Sequence, residues 1–104
     1  MTYAQYEILL VNFDPTIGCE IKKTRPCVVI SPNEMNNNIQ TLIVAPMTSQ
    51  SKPYPSRVTV EQNSFIVLDQ IRTIDKRRVI KKIAKLQPSS IKKVKAIIKE
   101  MLVD

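Results

Sequence analysis

Histidine and tryptophan are absent from these 104 residues, glycine occurs once and cysteine twice. Without histidine the usual acid and base of neutral-pH catalysis is missing, and a Cys–His nucleophilic pair is excluded. Cys19 and Cys27 make no disulfide framework, and with no imidazole to join them they are too few to hold a structural zinc. Cys27 lies in an apolar run and is expected as a small core residue, Cys19 in a loop. Phosphate-cradling glycine loops of the GxxxxGK or GxGxxG kind are missing as well. The nine acidic residues are scattered, which leaves no carboxylate cluster for a two-metal site, so neither metal nor cofactor is expected. No apolar run approaches the ~20 residues of a membrane span. Met1 to Glu7 lack the basic start and apolar stretch of a signal peptide. The expectation is one soluble domain over residues 1–104, cytoplasmic and with no membrane partner.

What the chain has in excess is positive charge, 16 Lys and Arg against 9 Asp and Glu for a net +7. Such a balance favours a polyanionic partner, whether nucleic acid, an acidic protein segment or an anionic surface. Eleven of the sixteen basic residues fall between Arg72 and Lys99, and Lys22, Lys23 and Arg25 form a second cluster.

Short strands are predicted at Glu7–Asn12, Pro26–Ser31, Gln40–Ala45, Arg57–Glu61 and Phe65–Ile71, from β-branched and alternating runs. Thr16–Thr24 is a polar, basic loop around the single Gly18, where the backbone needs an uncommon torsion or a close approach. Pro32–Asn38 is expected as a turn-rich stretch and Pro46–Ser56, with three prolines, as a surface loop. Asp75–Leu86 fits either a short helix or a charged turn leading into a last strand. Pro88, Ser89 and Ser90 open a helix whose Ile91, Val94, Ile97, Ile98, Met101 and Leu102 recur at helical spacing, with Lys92, Lys93, Lys95 and Lys99 opposite. The fold class is mainly β with a C-terminal α-helix, a small bent sheet or barrel capped by that helix.

The chemistry left to such a composition runs on a carboxylate, arginines and hydroxyls. RNA transesterification suits it, because the substrate supplies its own nucleophile, the ribose 2′-hydroxyl. Gly18-Cys19-Glu20 followed by Thr24-Arg25-Pro26-Cys27-Val28-Val29-Ile30-Ser31 resembles the G-x-E…R-P-x-V-V-I-S signature of MazF/PemK toxins. Glu7 to Pro15 is similar to that family's opening strand and turn, and Val44-Ala45-Pro46-Met47-Thr48-Ser49 to its central strand and threonine. Leu68 to Arg78 is similar to its L-D-Q-I-R-T-I-D-K-x-R block. Four blocks in order span nearly the whole chain. The resemblance implies a compact Src-homology-3-like β-barrel of the PemK/CcdB toxin type, and a homodimer whose interface forms an RNA groove. It implies metal-independent cleavage of single-stranded RNA to a 2′,3′-cyclic phosphate and a 5′-hydroxyl. It also implies a cognate antitoxin that masks the groove with a flexible acidic C-terminal segment.

Carried onto this sequence, the resemblance makes Arg25 and Thr48 the catalytic candidates. Arg25 suits phosphate by its planar fork and Thr48 by its hydroxyl. Glu20 is either the proton acceptor or an ion-pair partner that fixes Arg25. Cys19, Lys22, Lys23, Ser49, Gln50 and Arg57 are RNA-contacting candidates, each weighed against plain solvation. Asp69 and Gln70 are as consistent with a structural polar pair as with RNA contact, and Arg72 either meets phosphate or is neutralised by Asp75. Some PemK-type relatives carry a histidine where Cys19 stands and an arginine where Val67 stands, so a mechanism using that pair is closed to this chain. The MazF-like version, centred on Arg25 and Thr48, is retained. The alternatives are an inactive barrel that still binds RNA or antitoxin, a CcdB-like gyrase poison, and a basic protein that coats nucleic acid without turnover.

Overall fold

Aliphatic residues come in near-continuous runs here, as in Val28-Val29 and Leu42-Ile43-Val44-Ala45, and continuous runs belong to strands buried on both faces. The computed structural model, which describes residues 2–13, 23–49, 57–61 and 64–103, bears this out. Its strands are β1 (Glu7–Asn12), β2 (Thr24–Val29), β3 (Thr41–Thr48), β4 (Arg57–Glu61), β5 (Ser64–Val67), β6 (Arg72–Asp75) and β7 (Val79–Lys85). A short helix α1 (Asn33–Asn38) joins β2 to β3, and a long helix α2 (Pro88–Leu102) closes the chain. Strand pairing is antiparallel in the order β4-β5-β3-β2-β1-β7, with β6 also paired to β3. The result is a strongly bent, barrel-like sheet that stays open, since β4 and β7 do not meet. None of the described helices is long and apolar enough to cross a membrane.

Successive side chains alternate between the two faces of a strand, and here each face has its own core. Ile8, Val28, Ala45, Met47, Ile66, Leu68 and Val94 form one, against which Ile91, Ile97 and Ile98 of α2 pack. Leu9, Val11, Cys27, Val29, Leu42, Val44 and Ile74 form the other, edged by Phe13 and Val79 where the sheet curls around it. Met101 and Leu102, expected on the packed face of α2, are instead exposed in its last turn. Tyr6 holds φ at 69° just before β1. That torsion costs a non-glycine residue roughly 1–2 kcal/mol. Two backbone bonds fix it, Tyr6 N–H to Val29 O (2.7 Å) and Leu86 N–H to Tyr6 O (2.9 Å).

Several boundaries differ from the sequence expectations, and β2 runs over Thr24–Val29 in place of the expected Pro26–Ser31. The Pro32–Asn38 turn contains α1, stabilised by buried Asn36, whose Nδ2 donates to Ser31 O (2.8 Å) while Ser31 Oγ donates to Asn36 Oδ1. Strand β3 runs through Pro46 to Thr48, into the stretch expected to be a loop. On its outer edge β3 pairs with β6 up to Val44 and with β5 only from Met47, so Pro46 falls in the gap and its missing N–H breaks no ladder bond there. The predicted Phe65–Ile71 strand is cut by a 3-10 turn at Leu68–Gln70. Asp75–Leu86 resolves as the charged turn and last strand, with Asp75 capping the turn by accepting from Arg77 N–H (2.8 Å).

Candidate nucleic-acid interface

The site grows from the register of the central strands. Ladder partners across β2 and β3 are Val29 with Val44, Val28 with Ala45 and Cys27 with Pro46. Continued two residues further, that register sets Arg25 across from Thr48. Both lie, by alternation, on the face of Cys27 and Val44. Across a second ladder, Val44 pairs with Arg72, which brings a second arginine to the same face. The β1–β2 hairpin is held to its last described rung by Phe13 N–H donating to Lys23 O at 2.7 Å.

Lys23, Arg25, Thr48, Ser49, Arg57, Gln70 and Arg72 therefore line one groove, of about 1080 Å³. That lies at the upper end of the ~300–1,000 Å³ usual for ligand pockets. Its described lining carries four cations, Lys23, Arg25, Arg57 and Arg72, and no carboxylate. The field in the groove is accordingly positive, and a polyanionic chain entering it replaces its own counterions with fixed cations. Among the described residues no three Cys, Asp or Glu side chains come together as a metal site.

The structure separates Asp69 from Gln70. Both lie exposed on the 3-10 turn, but only Gln70 lines the groove. It also decides what Asp75 does. Arg72 and Asp75 stand an odd number of residues apart on β6 and face opposite ways, and the Asp75 carboxylate is taken by Arg77 (3.2 Å). Hydrogen bonds from Arg77 hold the Asp75 carboxyl below its ordinary range. Glu20, Cys19, Lys22 and Gln50 lie outside the described residues.

Phe13 is a groove residue that sequence reasoning missed. It is half-buried, and the Arg72 guanidinium carbon sits 4.8 Å from its ring centroid. The available signal was an aromatic residue directly after a predicted strand, next to Asp14 and Pro15 in sequence. Ser64 and Val67, from β5, complete the far wall beside Arg57.

Cys27 is fully buried below the groove, as expected of a core cysteine. Burial pushes its thiol from an ordinary 9.0 up to about 12, against a partial pull downward from the Arg72 and Arg25 charges. A group raised on folding stabilises the fold fully below its unfolded value and loses that contribution as pH climbs towards the folded one. Within the window from about pH 9 to 12, the thiol therefore takes away up to ~1.4 kcal/mol of stability per pH unit. Urea unfolding at pH 9 and pH 10 should show a steeper loss in the unaltered protein than in Cys27→Ala. Comparing the two slopes removes the common contributions of Tyr3 and Tyr6, whose hydroxyls burial also pushes up. Equal slopes would mean that the thiol is not the group responsible.

Three comparisons bear on the family of this chain. A family model described as PemK-like, MazF-like toxin of type II toxin–antitoxin system matches residues 4–102. Endoribonuclease toxin MazF of Escherichia coli K12 is 34% identical over 100 residues, covering 92% of this chain and 90% of that protein. Endoribonuclease EndoA of Bacillus subtilis is 34% identical over 97 residues, covering 85% of this chain and 84% of EndoA. A crystal structure of MazE–MazF from Deinococcus radiodurans superposes with a TM-score of 0.82 at 25% identity, covering 98% of this chain and 96% of that one.

Proposed function

We propose, for a chain that belongs to the PemK-like, MazF-like toxins of type II toxin–antitoxin systems, that the groove binds single-stranded RNA and cleaves it. The observation that carries this reading is an open groove with four cations, a threonine hydroxyl and no carboxylate in its described lining. The endoribonuclease relatives at 34% identity support the activity.

The chemistry follows from those groups. Arg25 binds a non-bridging phosphate oxygen and stabilises the charge that builds up as the ribose 2′-oxygen attacks phosphorus. The 2′-oxygen–phosphorus bond forms as the phosphorus–5′-oxygen bond breaks, which leaves a 2′,3′-cyclic phosphate and a 5′-hydroxyl. The proton lost from the 2′-hydroxyl passes to a base, for which Glu20 is the sequence candidate, and the leaving 5′-oxygen takes one up. Thr48, across from Arg25, hydrogen-bonds the same phosphate and keeps the attack in line. No step calls for a metal. The remaining cations steer the RNA backbone, and Gln70 and Ser49 are placed to read base edges.

The same positive groove suits an acidic antitoxin segment, and the solved MazE–MazF structure of Deinococcus radiodurans supports an antitoxin partner. A homodimer acting in the cytoplasm belongs to the same proposal, and sedimentation of the purified protein tests the dimer.

Purified protein incubated with a long single-stranded RNA in excess EDTA should give discrete cuts with 5′-hydroxyl ends. Thr48→Val keeps the side chain's shape and removes its hydroxyl, and is expected to slow cleavage about 10- to 100-fold, as for a hydrogen bond to a charged group. RNA that is bound but left intact would favour the inactive binding barrel, and cleavage restored only by added divalent metal would refute the metal-free chemistry.

A further inference from the structure

We propose that Phe13 is a positioning residue, whose ring holds the Arg72 guanidinium over the groove floor beside Arg25, so that two arginines grip one phosphate. The inference rests on reading the groove as an RNA site. Arg72 starts on β6, its backbone fixed opposite Val44, whereas Phe13 directly follows β1, on the far side of β2 and β3. The two nonetheless meet at 4.8 Å, so the Arg72 side chain reaches across the curled face of the sheet. Arg25 and Arg72 line the same groove, and both charges act on the Cys27 thiol buried below it.

Two like charges so placed repel, and the described lining offers no carboxylate to separate them. An aromatic face is attractive to a cation without neutralising it. It engages the flat side of the guanidinium and leaves the N–H edge for oxygen acceptors, which a carboxylate partner would occupy. Phe13 is itself well fixed, half-buried against the second core and tied through its N–H to Lys23 O at 2.7 Å. Of the two carboxylates three residues away in sequence, Asp75 is committed to Arg77 and Asp69 does not line the groove.

The test is a double-mutant cycle on cleavage of a defined RNA, run in parallel on binding of the same oligonucleotide with 2′-deoxyribose, which no enzyme of this type can cut. Phe13→Leu is expected to lower kcat/KM and deoxy-oligonucleotide affinity about three- to tenfold, as for one cation–π contact. In an Arg72→Ala background the same change should do almost nothing, and Phe13→Tyr should restore both readouts. A full Phe13→Leu effect in the Arg72→Ala background would show that the ring touches RNA directly and would overturn the proposal. So would an unchanged kcat/KM and affinity in a folded Phe13→Leu protein. If the unaltered protein leaves RNA uncut, the nuclease reading fails by itself, and the binding cycle still decides whether Phe13 positions Arg72.

Discussion

Replacing Arg25 with alanine is expected to lower single-turnover RNA cleavage by about 10²–10³-fold, the loss typical of one preorganised donor to a developing oxyanion. The effect should be chemical and not structural. Arg25 is exposed, on a strand whose core contacts are made by its neighbours Cys27, Val28 and Val29. Its removal should shift stability by no more than ~0.5 kcal/mol. Arg25→Lys sharpens the test, because it keeps the charge and gives up the planar fork. If binding charge alone mattered, the lysine variant would cleave almost normally. If bidentate contact to the phosphate matters, it should stay well below the unaltered protein while binding RNA with similar salt dependence. Cleavage within twofold of normal in Arg25→Ala would remove this residue from the mechanism.

Leu9→Ala should have the largest effect on stability. Leu9 is fully buried in the core that lies beneath the groove, with Val11, Cys27, Val29, Leu42, Val44 and Ile74. Truncating a buried leucine costs ~2–5 kcal/mol in lost transfer energy and residual cavity. A domain of this size holds only ~5–15 kcal/mol in total, so a large fraction would go, with a fall in Tm of the order of 10 °C or more. Leu10, one residue on, is half-buried on the opposite face, and Leu10→Ala should cost clearly less. Urea unfolding of the two variants measures the difference. Equal costs would contradict the assignment of Leu9 to a closed second core.

Much of the candidate site was legible before any coordinates, and the reason is local chemistry. A histidine-free, basic chain with Arg25 at the start of a β-branched run and Thr48 after another leaves few reactions open. The four similar blocks then narrow them to one family. Of the described candidates, Lys23, Arg25, Thr48, Ser49, Arg57, Gln70 and Arg72 do converge on one groove. Phe13 was not legible, because its partner Arg72 lies 59 residues away and meets it only through the curl of the sheet. Likewise, Asp75 was weighed as a neutraliser of Arg72 on sequence spacing alone, and strand alternation sends it to Arg77 instead.

Pattern and propensity by themselves determined the strand positions of β1 and β4, the amphipathic α2 and the sign of the surface charge, since each depends on residues adjacent in the chain. Tertiary structure alone decided that β3 continues through Pro46 to carry Thr48. The decision lies in the gap between two neighbouring strands, where the proline nitrogen needs no partner. It alone also decided that Arg25, Arg72 and Phe13 line one groove. Register and curvature bring together side chains that no spacing in the sequence relates, and both are set by burying two apolar faces of one sheet at once.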